Sequence, residues 1–176
     1  MNSRGQAFST FQLLIAAIVA IAILAILFQI IGIIPGIGQQ EPSSNAANLV
    51  KDLINKPYTG KTSSQVTFKS GDSINTKAIS AASQAGATEQ NIVLSLGDFQ
   101  TTGGFTPGPA GASISYQGGS SKNVRLWAMC APQRELADSV HQFGPSDGIR
   151  SASESCSTIA DDDICCMIAL RTTGTG

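Results

Sequence analysis

The chain has 176 residues and a formal net charge of −1, from 11 basic and 12 acidic residues. That balance lacks the basic footprint of a nucleic-acid-binding domain, so nucleic acid is not expected as a partner. Setting aside an apolar N-terminal stretch leaves about 135 residues, enough for one globular domain with its own core.

The first ten residues carry one basic side chain, Arg4. From Phe11 to Ile34 only Gln12 and Gln29 bear strong hydrogen-bonding groups, and no residue is charged. As a helix rising about 1.5 Å per residue, this run would measure about 36 Å, against about 30 Å for the hydrocarbon core of a bilayer. A helix apolar all round has no solvated face and belongs in lipid or in a bundle of its own kind. The run is too long for the apolar region of an ordinary secretory signal. The expectation is a hydrophobic stalk helix over residues 6–38 that spans the membrane once. Arg4 and the amino group on the short side place the N-terminus in the cytoplasm and the rest outside. Gly32 and Pro35-Gly36-Ile37-Gly38 end the helix. Gly32 and Gly36 form a G-x-x-x-G pair, read as punctuation because Pro35 lies inside it. Residues 39–58 read as a polar linker with a short helix from Asn45 to Ile54, which sets Leu49, Val50, Leu53 and Ile54 on one side.

The head is expected over residues 59–176. Gln65 to Lys69 alternates as a strand. Ser73 or Asn75 can cap a helix that reaches about Ala85, closed by Gly86. Ile92 to Leu96 is a second strand, and Gln100 to Gly111 a Gly-, Thr- and Pro-rich loop. Ser113–Tyr116 and Asn123–Cys130 read as a hairpin around Gln117–Ser121. Pro132 suits the first turn of a helix that places Leu136, Val140 and Phe143 on one face and stops at Gly144. Ser146 to Asp163 reads as loop. The unbroken apolar run Ile164–Leu170 reads as a central strand. The fold class expected is α+β: the long stalk helix, then a small extracytoplasmic head of about five strands and two helices.

All four cysteines, Cys130, Cys156, Cys165 and Cys166, lie in the last third. Outside the cytoplasm they are free to oxidise. Cys165 and Cys166 are adjacent and point to opposite faces of a strand, so they do not pair with each other. One goes to Cys130 and the other to Cys156, and the spacing leaves both arrangements open. A metal site is disfavoured because no C-x-x-C pair exists. Asp161-Asp162-Asp163 lacks the alternating acids, central Gly and final Glu of an EF-hand loop and reads as a solvated acidic turn. His141, with Asp138 one turn earlier, has no nucleophile elbow to serve. No catalytic residue, cofactor or metal is expected, and the chain does not read as an enzyme.

The order Arg4-Gly5-Gln6-Ala7-Phe8-Ser9-Thr10-Phe11, running directly into the apolar stretch, resembles the class III signal peptide of archaeal type IV pilin-like proteins. The resemblance covers about the first 34 residues. It implies a cut between Gly5 and Gln6 by a prepilin peptidase, with residues 1–5 as the leader. It implies the pilus assembly machinery and further copies of the chain as partners. Phe8, Phe11, Leu14, Ile18, Ile21, Leu24, Phe28 and Gln29 would then pack subunit against subunit, Gln29 finding its hydrogen bonds on a neighbour. Many members carry Glu at the fifth mature position, where this chain has Thr10. The expected function is that of a surface-filament subunit for adhesion or attachment. The alternative is a single-pass anchored protein that does not polymerise and carries a disulfide-pinned binding domain.

Overall fold

The computed structural model describes residues 12, 14–21, 23, 41–99, 103–152, 155–156 and 158–173. The chain divides into two compact units, Met1–Gly38 and Gln39–Gly176.

In the first unit, residues 12, 14–21 and 23 are helical. Among the described residues no helix is long and apolar enough to cross a membrane. This corrects the expected membrane-spanning stalk. Residues 6–11, 13, 22 and 24–38 of the expected stalk lie outside the described residues.

The second unit is α+β and holds seven strands among its described residues, two more than the sequence suggests. Four of them, β1 (Gly60–Phe68), β3 (Ile92–Ser95), β6 (Lys122–Pro132) and β7 (Ile164–Thr172), form a mixed sheet in the order β1-β6-β7-β3. β1 and β7 run antiparallel to β6, and β3 runs parallel to β7. The other three, β2 (Ser73–Asn75), β4 (Phe105–Pro107) and β5 (Ser113–Tyr116), make a small antiparallel sheet in the order β2-β5-β4. The two unforeseen strands, β2 and β4, have three residues each, too few to show a period.

The hairpin expected from β5 and β6 does not form. β5 pairs with β2 and β4, whereas β6 pairs with β1 and β7. The reason lies in the faces. β6 is buried at every position from Leu126 to Ala131, so it needs cover on both sides, as a central strand does. β5 alternates buried and half-buried residues and suits a one-sided layer.

One face of the large sheet packs Phe68, Leu94, Leu126, Cys130, Cys166 and Ile168 against helices α1 (Pro42–Leu53) and α2 (Thr76–Ser83) and the small sheet. α1 buries Ala46, Ala47, Leu49, Val50 and Leu53 against β1, β6 and α2. Asn75 caps α2, its Oδ1 accepting from the Ala78 N–H at 2.8 Å. The opposite face packs Val93, Trp127, Met129 and Met167 against α3 (Gln133–Phe143) and α4 (Asp147–Arg150). Leu136 and Val140 face this second core, but Phe143 at the end of α3 is 52% exposed, which corrects its assignment to that face.

Gly97 has no room for a side chain. Its φ is +51°, and a Cβ there would lie 2.3 Å from the Leu170 carbonyl oxygen. Gly71 also has positive φ, +91°, but nothing lies within 4 Å of its Cβ position. Gly97→Ala is therefore expected to cost about 1–3 kcal/mol more than Gly71→Ala, because only the first adds a backbone collision to the conformational strain. Urea unfolding of the two variants measures the difference, and equal losses would contradict the packing.

Candidate functional site

The sequence places its functional residues in two groups: the N-terminal segment and the cysteines. Gly5, Gln6, Phe8, Phe11, Leu24, Phe28 and Gln29 lie outside the described residues. Leu14, Ile18 and Ile21 lie in the helical stretch 14–21 and are 56%, 59% and 67% exposed. Spacings of four and three residues put them on one side of the helix. Ile15, Val19 and Ile23 are exposed as well, so apolar surface wraps the stretch rather than forming one stripe.

The cysteines form two disulfides, Cys130–Cys166 and Cys156–Cys165. The alternation of β7 decides which goes where. Cys166 shares the inner face with Ile168 and Leu170, and its register partner on β6 is Cys130. Cys165 points to the other face with Met167, where the Cys156 segment crosses. Gln133, the first residue of α3, holds that segment: its Oε1 accepts from the Cys156 N–H at 3.0 Å. The chain thus has one bridge in each core, and both start from neighbouring residues of one strand.

The acidic turn has a structural task. The carbonyls of Asp163 and Asp161 accept from the Gln133 and Arg134 N–H groups at 2.9 and 3.1 Å. These are two of the donors that the start of a helix leaves unpaired. Asp162 pairs with Arg134 at 2.5 Å, and the negative turn complements the positive end of the α3 dipole. Among the described residues, no group of three His, Cys, Asp or Glu could hold a metal ion. His141 and Asp138 are both exposed on α3.

Next to this end of α3 lies a polar contact that sequence reasoning missed. Tyr58 has φ +64°, and its hydroxyl donates to Glu135 Oε2 at 2.6 Å across 77 residues. Glu135 also accepts from Arg134 Nε at 3.3 Å. Donation to the carboxylate holds the Tyr58 phenol above its ordinary pKa, and the same bond holds Glu135 below the usual carboxylate range, with Arg134 assisting. No local pattern signals such a contact, since its partners are far apart in sequence.

An open polar cleft of about 660 Å³ lies between the start of α1 and the β1–β2 turn, lined by Glu41, Ser43, Gln65, Thr67, Lys69 and Asp72 among others. The turn is braced by the Lys69 N–H, which donates to Asp72 Oδ2 at 2.7 Å. Compared with protein-family models, curated proteins and solved structures, the chain matches none.

Two predictions follow from this geometry. The Cys130–Cys166 bridge spans 36 residues and Cys156–Cys165 spans 9. On loop entropy, replacing the first pair by Ala costs about 4 kcal/mol and the second about 2.5 kcal/mol. Urea unfolding of the two double variants checks that order, and a larger loss from the shorter loop would refute it. For the tyrosine, the raised phenol pKa adds stability below the unfolded value, and this is lost as pH rises through the folded one. The depressed Glu135 adds stability above the ordinary carboxylate range, lost as pH falls through its folded value. Absorbance at alkaline pH, with Tyr58→Phe to assign the signal, is expected to show Tyr58 ionising later than a free phenol. Glu135→Gln is expected to move that titration down, because the phenol then donates to a neutral amide oxygen instead of a carboxylate.

Proposed function

We propose that the chain is a structural subunit of a surface filament of the archaeal type IV pilus kind, acting in adhesion or attachment and having no enzymatic activity. The observation that carries this reading is the order of the N-terminus: Arg4-Gly5-Gln6-Ala7-Phe8 stands directly before an uncharged run of 24 residues, Phe11–Ile34. A prepilin peptidase would cut between Gly5 and Gln6 on the cytoplasmic side. The pilus machinery would then bring the apolar segments of successive copies together. Burying such a segment against its neighbours rather than water is worth roughly 25 cal/mol per Å². Support comes from the separation of labour along the chain. The exposed apolar residues 14, 15, 18, 19, 21 and 23 lie in one unit, and a disulfide-bridged α+β head forms the other.

Thr10, in place of the Glu common at the fifth mature position, favours a second reading, an anchored surface protein that does not polymerise. Intact mass and N-terminal sequencing of protein taken from its native cell surface separate the two. A chain that starts at Gln6 is expected for a filament subunit. A chain that still starts at Met1 would sink prepilin processing and leave the anchored protein.

A further inference from the structure

Arg125 of β6 and Arg171 of β7 are register partners on adjacent antiparallel strands. Their next neighbours on the same face, Trp127 and Ala169, belong to the second core, so both guanidiniums rise from that side of the sheet. Gln65 of β1 is the partner of Arg125 on its other flank, which makes a row Gln65–Arg125–Arg171 across three strands. Like charges directly opposite one another destabilise a sheet.

Among the described residues, no ion pair offsets this. The ion pairs among the described residues are Lys61–Asp52, Arg134–Glu135 and Arg134–Asp162, and none includes either arginine. Asp98, which reaches the end of β7, is engaged elsewhere. It accepts from the Ser146 hydroxyl and from the N–H and hydroxyl of Thr172. Arg171 Nε is buried and has no hydrogen-bond partner. A buried donor left unpaired is costly, and more so on a charged group. Two arginines in register and an unpaired donor therefore coincide on adjacent strands of one ladder.

An oxyanion offsets the facing charges and, with the Arg171 side chain turned outward, also takes its unpaired Nε–H. Its charge neutralises the pair, and guanidinium forks present paired N–H groups in the geometry that phosphate and sulfate oxygens accept. We propose that Arg125 and Arg171 together bind a tetrahedral oxyanion of the sulfate or phosphate class, with the Gln65 amide as a neutral donor beside them. The group comes either as the free anion or as an ester on a larger molecule. The site does not depend on the filament reading, since it lies wholly within the head.

The test uses the full chain in non-ionic detergent, titrated with sodium sulfate and sodium phosphate at constant ionic strength. The Arg171 Nε–H resonance is expected to shift saturably. Arg125→Gln and Arg171→Gln are each expected to weaken binding at least about tenfold. Arg125 is exposed, so Arg125→Gln keeps the fold even where Arg171→Gln does not. Arg125→Gln is also expected to raise the melting temperature in chloride alone, by relieving the repulsion, and to abolish the extra stabilisation that sulfate gives the wild type. A non-saturating shift, or an equal sulfate response in wild type and Arg125→Gln, would overturn the proposal. A sulfated oligosaccharide supplies the second arm. Tighter binding than inorganic sulfate, lost in Arg125→Gln, supports the site with an ester as its ligand, and equal or weaker binding supports it with the free anion.

Discussion

A strand that is apolar on both faces must be covered on both, and the head is built around two such strands lying side by side. Leu126–Ala131 of β6 and Cys165–Leu170 of β7 are buried without alternation. Each needs a layer above and a layer below. α1, α2 and the small sheet supply one layer, and α3 and α4 supply the other. The two disulfides obey the same constraint. Because neighbouring residues of a strand point to opposite sides, Cys165 and Cys166 deliver one bridge into each core. The central strand is thereby tied to β6 on one side and to the segment that follows α4 on the other.

The two layers are held by different means. On the first side, aromatic rings join the sheets. Phe68 of β1 meets Phe105 of β4 edge-on at 5.2 Å, and Phe105 packs on Tyr116 at 4.8 Å and on Phe99 at 5.1 Å. Contacts of this kind add about 0.5–1.5 kcal/mol beyond buried area. On the second side, polar groups at element ends do more. Asp98 bonds Ser146, the N-cap of α4, and Thr172 at the end of β7. The acidic turn before β7 closes the start of α3. A short helix such as α4 could not hold its place by propensity alone and relies on these anchors.

Some of this was legible in the sequence and some was not, for physical reasons. The run Ile164–Leu170 announces a central strand because no polar residue interrupts it, and the adjacent cysteines announce opposite faces because a strand has period two. Asn75, Gly144 and the apolar positions of α1 are local signals and are read locally. What failed is whatever depends on distance along the chain. Two strands joined by five turn-forming residues look like a hairpin, but the neighbours of β5 are β2 and β4, whose brevity hides them. The register that sets Arg125 beside Arg171, and the fold-back that sets Tyr58 beside Glu135, are sums over many loops, and no short window contains them.

The head keeps its own associations in check. β1 is an outer strand, and an unpaired edge invites another strand. Here the edge carries Lys61 and is broken by a register shift between Thr62 and Gln65, where the Ser63 hydroxyl takes the Leu126 N–H at 3.0 Å in place of a regular ladder bond. Along β1 a second chain would find no long regular edge to extend. Large apolar side chains tell the same story. Within the head, Tyr58 and Phe143 are the exposed ones among the described residues, and Tyr58 is engaged with Glu135. Leu14, Ile15, Ile18, Val19, Ile21 and Ile23 are the rest of that exposed set, all within one short stretch. Exposed apolar area is what drives association. In the filament reading proposed here, the N-terminal segment therefore supplies the attraction between copies, and the head stays closed on itself with its surface left for contacts of other kinds.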